Sequence, residues 1–197
     1  MSDAAIVLCG GQSSRMGRDK PSLPFGDQTM LARVVRAVRE VATEVVLVAR
    51  QDQTLPEGFE VMRDPVEGLG PLAAIAMGLS AIRAPRAIVV ACDMPLLRPA
   101  VLRRLLHLSE GWNACVPIVD GFAVPTCAVY RREVAAIASE LVAARQLAPA
   151  RLLRRVKTRY VDAAELRDVD PDLESFRDCN TPERYAEALR LAGLGPA

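Results

Sequence analysis

The feature that most constrains this chain is an apolar run that stops at a glycine pair. Ile6-Val7-Leu8-Cys9 leads into Gly10-Gly11, and a short polar, basic loop comes next with Gln12, Ser13, Ser14, Arg15, Gly17, Arg18 and Lys20. A buried strand that ends at glycines presents backbone N–H groups at the carboxyl edge of a sheet, where open α/β folds bind ligands. Backbone amides beside Arg15 and Lys20 suit phosphate, because amide nests and cationic side chains both match its oxygens. The alternative is an ordinary strand–helix turn with solvated charges. Spacing excludes two common phosphate loops. A Walker A loop needs Gly-Lys-Ser/Thr, whereas Lys20 stands between Asp19 and Pro21. A dinucleotide fingerprint needs G-x-G-x-x-G, which Gly10-Gly11-Gln12 does not supply.

The rest of the chain repeats the same strand-then-helix logic. Residues 28–42 carry Met30, Leu31, Val34, Val35, Val38 and Val41 at helical spacing. Residues 44–49 form a continuous apolar run, the mark of a buried parallel strand. A short strand is expected at 59–63, a glycine-rich loop at 68–71 and an apolar helix at 72–82, with Pro71 suited to its first turn. Residues 87–92, AIVVAC, read as a central strand, and 99–108 as a helix. Two strands at 114–118 and 126–130 flank Asp120-Gly121. Helices are expected at 132–144 and 148–154, and a strand at 156–161. Thr181-Pro182-Glu183 is an N-cap followed by a first-turn proline, opening a last helix that runs to about residue 192. Alternation in the first half implies α/β architecture: a mostly parallel sheet covered by helices on both faces, becoming mixed in the second half.

Composition narrows the function classes. The 197 residues are expected to form one domain, 1–197, with a core of Val, Leu, Ile and Ala, since the chain is 51% hydrophobic but only 4% aromatic. A net charge of +1 argues against an electrostatic nucleic-acid binder. The five cysteines are odd in number and form no C-x-x-C pair, so they read as buried, reduced thiols in a cytoplasmic protein. No run approaches the ~20 apolar residues of a membrane span, and the expectation is a soluble chain.

Two carboxylates stand at expected strand ends. Asp93 follows AIVVAC and precedes Met94-Pro95. A lone carboxylate there suits magnesium, which takes one or two protein carboxylates and completes its shell with phosphates and water. A turn or N-cap aspartate is the alternative. Asp64 ends the preceding strand before Pro65, on the same edge if both strands are parallel, and is otherwise a turn-forming Asp-Pro. No nucleophilic triad is evident. His107, the sole histidine, reads as a helix-face residue, and Ser13 and Ser14 as loop hydrogen-bonders. The basic run Arg151, Arg154, Arg155, Lys157 and Arg159 reads as a solvated helix end, with contact to an anionic second substrate as the alternative.

The stretch from Leu8 to Lys20 resembles the signature of sugar-nucleotide-type nucleotidyltransferases, L-x-G-G-x-S-x-R-M-G-x-D-K, at Leu8, Gly10, Gly11, Ser13, Arg15, Met16, Gly17, Asp19 and Lys20. The glycine pair and Asp19-Lys20 are most similar to the molybdenum cofactor guanylyltransferase family. Asp93-Met94-Pro95 resembles that family's Asp-x-Pro metal motif, Gly70-Pro71-Leu72 its base-side loop, and Asn180-Thr181-Pro182-Glu183 its closing signature. The resemblance implies a three-layer αβα, Rossmann-like nucleotidyltransferase fold. It implies transfer of GMP from GTP to the phosphate of molybdenum-bound molybdopterin, with magnesium as cofactor and pyrophosphate released. Arg15, Lys20 and Asp93 would be catalytic, with Asp93 on the metal. Leu8, Cys9, Gly10, Gly11, Lys20, Asp64, Gly70 and Asp93 would bind nucleotide, and Asn180 the acceptor. The implied partners are GTP, a molybdopterin-type acceptor and, transiently, other cofactor-biosynthesis proteins, with no nucleic acid and no membrane. The alternatives are a molybdopterin cytidylyltransferase, another small-molecule nucleotidyltransferase, or a non-catalytic nucleotide-binding domain. Three positions depart from the pattern. Ala74 stands where many relatives have glycine, Val48 where some have asparagine, and Val124 where histidine is frequent.

Overall fold

The computed structural model describes residues 3–10, 20–55, 57–64 and 68–195. Its centre is β1, Ala4–Leu8, every residue of which is buried. β1 pairs in parallel with β4 (Glu44–Arg50) on one side and β6 (Arg86–Ala91) on the other. β5 (Glu60–Asp64) continues the parallel set beyond β4. Beyond β6 lie β9 (Cys127–Arg131), β7 (Ala114–Val119) and β10 (Thr158–Asp162), giving the order β10-β7-β9-β6-β1-β4-β5. β9 runs antiparallel to both β6 and β7, which is the mixed character expected of the second half.

Side-chain alternation sends the two faces of this sheet into separate cores. Val7, Leu47 and Val90 pack with α1 (Met30–Arg39) and α3 (Pro99–Leu108). Ile6, Val48 and Val89 pack with α2 (Gly70–Ala81), α4 (Val134–Ala143) and α5 (Pro149–Arg155). The result is the three-layer α/β sandwich expected from the sequence. A third, smaller core joins α6 (Pro182–Leu191) to Leu23, Phe25, Met30 and Leu96.

Boundaries shift where local chemistry intervenes. The helix expected from residue 28 starts at Met30, because Gln28–Thr29 (β3) pairs with Pro24–Phe25 (β2) across a turn at Gly26, φ 71°. Thr29 then caps the helix by accepting from the Ala32 N–H at 3.1 Å. α2 starts two residues earlier than expected, with Pro71 in its first turn. The strand expected at 126–130 is Cys127–Arg131, and a two-residue strand unforeseen in the sequence, β8 (Phe122–Ala123), pairs with β7. Asp120 and Gly121, with φ 51° and 80°, make the turn between them. Thr181 caps α6 as expected, accepting from the Arg184 N–H at 3.3 Å. All five cysteines are free and buried. No helix among the described residues is long and apolar enough to cross a membrane.

α2 crosses β1 closely at Gly78. A Cβ on Gly78 would lie 2.4 Å from Cγ2 of Ile6, itself fully buried. Gly78→Ala should therefore cost about 1–3 kcal/mol, the scale of overpacking a core. Chemical denaturation of the variant should show the lower midpoint with an unchanged slope.

Candidate functional site

Because β1, β4, β5 and β6 are parallel, their carboxyl ends share one edge. Chain order reverses between β1 and β6, the kind of switch point where open α/β sheets take ligands. A cavity of about 680 Å³ opens there. Leu8, Cys9, Gly10, Lys20, Asp64, Gly70, Asp93 and Asn180, all singled out in the sequence, line it. Gly11 and Arg15 lie outside the described residues, as do Ser13 and Ser14. Of the three departures, Val48 and Ala74 also line this cavity, and Val124 lines a second one.

The charged end of the cavity is built from three distant parts of the chain. Lys20 Nζ donates to Asp93 Oδ2 at 3.0 Å and to Asn180 Oδ1. The Lys20 and Asp93 side chains are only 15% and 14% exposed, so this pair is shielded from water. Its backbone is fixed as well: the Cys179 N–H donates to the Asp93 carbonyl at 2.8 Å, bolting the C-terminal segment onto the turn after β6. From the other side, Arg33 Nε donates to the Pro95 carbonyl at 2.6 Å while its guanidinium lies 5.0 Å from the centre of the Phe25 ring.

The floor of the cavity is tied by residues the sequence did not mark. The buried Gln53 donates from Nε2 to the Cys9 carbonyl at 3.1 Å and accepts the Arg50 N–H at 3.4 Å. Arg63 Nη1 donates to the carbonyls of Arg50, at 2.9 Å, and Gln53. Three strand ends are thereby held in register. One expectation is corrected here. The N–H groups of Cys9 and Gly10 are not bare; both donate to the Val48 carbonyl, at 2.8 and 3.3 Å, so those two amides are spent within the sheet. Gly68 and Gly70 have φ of 82° and 73°, a region where a side chain is strained, which is why glycine suits this rim.

Arg50, Thr126 and Asp178 also line the cavity. The strand expected over residues 44–49 stops one short of Arg50, and Asp178 stood only as a neighbour of Asn180; neither carried a motif. Asp178 additionally lines a second cavity of about 570 Å³, beside Phe122, Arg167, Arg177 and Arg184. None of the basic residues Arg151, Arg154, Arg155, Lys157 and Arg159 lines either cavity, in keeping with a solvated face. His107 is exposed on α3.

Charge balance in the site favours electrostatic over thiol chemistry. Cys92 is raised well above the usual thiol range by its hydrogen bond with Cys9, by burial, and by Asp93. Cys179 is pushed up to about 12 by burial, with Asp93 and Asp178 adding to it. These thiols stay neutral where a nucleophile would have to ionise. The donors available to a cation beside Asp93 are hard oxygens: its own carboxylate, with that of Asp178 and the Asn180 amide lining the same cavity. Among the described residues no cluster of three metal-binding side chains occurs. That set does not suit zinc, but it fits magnesium, which relies on substrate phosphates for much of its shell.

The model of the MobA-like NTP transferase domain matches residues 5–162, which includes every strand of the sheet but the first residue of β1. The chain belongs to this family. A probable molybdenum cofactor guanylyltransferase of Pelotomaculum thermopropionicum is 31% identical over 188 residues, covering 95% of this chain and 92% of the relative. One from Mycobacterium avium is 40% identical over 147 residues, 71% of this chain and 75% of the relative. Among solved structures, molybdopterin-guanine dinucleotide biosynthesis protein A of Archaeoglobus fulgidus superposes with a TM-score of 0.84 at 25% identity, covering 96% and 98% of the two chains. The 2-C-methyl-D-erythritol 4-phosphate cytidylyltransferase of Thermus thermophilus shares the fold, with a TM-score of 0.74 at 18% identity over 98% and 100% of the chains. The chain is thus a nucleotidyltransferase of α/β fold.

The neutral thiols set an alkaline limit on stability. Cys127 is pushed up to about 12 and Cys115 to about 11, both mainly by burial, and burial raises Tyr130 in the same sense. Unfolded thiols ionise from about pH 8.5, so above it the unfolded chain holds fewer protons than the folded one. The stabilisation is complete below that pH and declines as pH climbs towards 12. Denaturant midpoints measured from pH 7 to 11 should fall above pH 8.5, and Cys127→Ala should flatten the fall.

Proposed function

We propose that this nucleotidyltransferase joins the GMP part of GTP to the phosphate of molybdenum-bound molybdopterin and releases pyrophosphate. The observation that carries this reading is the junction of Lys20, Asp93 and Asn180 in the first cavity, where the Asn180 N–H donates at 3.3 Å to Asp178, a residue that also lines the second cavity. The first cavity takes the nucleotide, with Leu8, Cys9 and Gly10 under the sugar and phosphates and Asp64 and Gly70 at the base. The second takes the acceptor, whose phosphate reaches the junction past Asn180. The relatives named above as guanylyltransferases support the choice of base and acceptor.

An oxygen of the acceptor phosphate attacks the α-phosphorus in line, and the bond to the bridging oxygen of pyrophosphate breaks. Such transfers are catalysed mainly by positioning and electrostatics, and no protein nucleophile is needed. Lys20 and Arg15 neutralise charge on the triphosphate and on the departing pyrophosphate. Lys20 is preorganised for this by its contacts to two fixed side chains, so little reorganisation is required at the reacting phosphorus. Asp93 is the residue that would hold magnesium, which when bound supplies Lewis-acid polarisation of the phosphoryl oxygens. The Cys179–Asp93 backbone bond keeps Asn180 and Asp93 at constant separation as both substrates enter.

Asp93→Asn should retain the fold and lose at least about a hundredfold in turnover, the scale of deleting a well-placed electrostatic group. Pyrophosphate release at saturating magnesium measures it, and a near-normal rate would remove Asp93 from the metal site. Lys20→Ala should weaken GTP binding and slow transfer, while Lys157→Ala, whose ammonium lies 4.9 Å from the centre of the Trp112 ring, should change neither. Thermal shifts with GTP, CTP, ATP and UTP plus magnesium test the base, because the preferred nucleotide stabilises by RT ln(1 + [L]/Kd). The largest shift is expected with GTP; CTP in its place would support a cytidylyltransferase.

A further inference from the structure

The nucleotide cavity is long and its two ends differ. Asp93 follows β6 and Asp64 closes β5, and the order β6-β1-β4-β5 sets them three strand spacings apart. At ~4.8 Å per spacing this is about 14 Å. A nucleotide whose phosphates meet Lys20 and Asp93 therefore carries its base to the ends of β4 and β5. The charged lining residues there, among those described, are Arg50 and Asp64. They are register partners and the last residues of their strands. Parallel neighbours at one register position face the same side of a sheet. Here that is the side of Val48 and Met62, towards Gly70, Pro71 and Ala74 of the first turns of α2.

Arg50 is a built feature of this end. Its N–H is accepted by Gln53 Oε1 and its carbonyl accepts from Arg63 Nη1, so its backbone is fixed from both sides. Its Cγ lies 3.8 Å from where a Cβ on Gly10 would stand, which lays the side-chain stem along the glycine turn. Its Nε also donates to Asp52 Oδ1 at 3.4 Å.

We propose that Arg50 and Asp64 form the specificity-determining pair for guanine, Arg50 donating to O6 and N7 and Asp64 accepting from N1–H and N2–H2. This rests on the guanylyltransferase reading above. Arginine matches the O6/N7 edge of guanine bidentately. A carboxylate matches the two adjacent donors on its other edge, whereas adenine presents an amino group in place of O6 and no donor at N1. Arg50 also stands two residues beyond Val48 on the same face, and so supplies the polar contact that valine lacks.

Equilibrium binding of magnesium complexes of GTP, 7-deaza-GTP, ITP and CTP to the full chain tests the pair without the acceptor. The unaltered protein should bind GTP about tenfold more tightly than 7-deaza-GTP, which lacks N7, and than ITP, which lacks the 2-amino group. Arg50→Ala should bring the GTP/7-deaza-GTP ratio close to one and keep the GTP/ITP ratio; Asp64→Asn should do the reverse. Arg50→Lys should not restore the lost ratio, since lysine cannot present the fork. Arg50→Gln keeps most of the stem and serves the same comparison should the alanine variant be poorly folded. Uniform weakening across all four nucleotides, or unchanged ratios with GTP still preferred, would overturn the pair and leave the guanylyltransferase reading intact. A preference of the unaltered protein for CTP would overturn that reading and the pair with it.

Discussion

The register of β1 between β4 and β6 is the constraint on which the rest of this molecule depends. Leu8 lies opposite Val48 on one side and Ala91 on the other, so Gly10, Arg50 and Asp93 emerge at the same edge. A slip of one residue would turn every side chain of a strand to the opposite face, exchanging the two cores. The close fit of Ile6 against Gly78 on one face, with Val7 in the separate core of the other, opposes it. Gln53 and Arg63 add hydrogen bonds across three strand ends at the point where apolar packing stops and solvent begins. The sheet therefore delivers its cavity-lining residues to fixed positions, and the chemistry is left to short segments just beyond it.

Charge in those segments is local and compensated. The overall charge of +1 says nothing about the site, where an ammonium lies between a carboxylate and an amide oxygen at low exposure. In such surroundings each charge is held by a neighbour and by fixed backbone rather than by water, and the interaction is strengthened by the lower dielectric. Buried neutral thiols beside Asp93 and Asn180 reinforce this, because they fill space without adding charge.

Much of this arrangement was legible in the chain. Strand ends could be read because a buried parallel strand is a continuous apolar run, and the polar or glycine residue that closes it, Gly10, Asp64 or Asp93, stands at the ligand edge by topology. Asn180 needed a motif, since nothing in local periodicity brings residue 180 to residue 20. Gln53 and Arg63 were invisible: a polar residue in a turn and an arginine in a half-exposed strand look solvated until their acceptors are known to be carbonyls of other strand ends. Arg50 was missed as well, because the apolar run ends at residue 49 and an arginine just beyond it looks solvated. β8 escaped because two exposed residues carry no period, and the helix start at Met30 moved because the Gly26 turn claimed Gln28–Thr29 for a ribbon.

The backbone bond from Cys179 to Asp93 has a consequence for how the molecule is made. All strands of the large sheet are in hand once Asp162 has been synthesised. Asn180, 160 residues from its partner Lys20, arrives later, carried in on the segment that leads into α6. A chain emerging from the ribosome thus completes its sheet before it completes its site. Closure of this contact across 160 residues, of the long-range kind that is slow to form, coincides with the moment at which the site is whole.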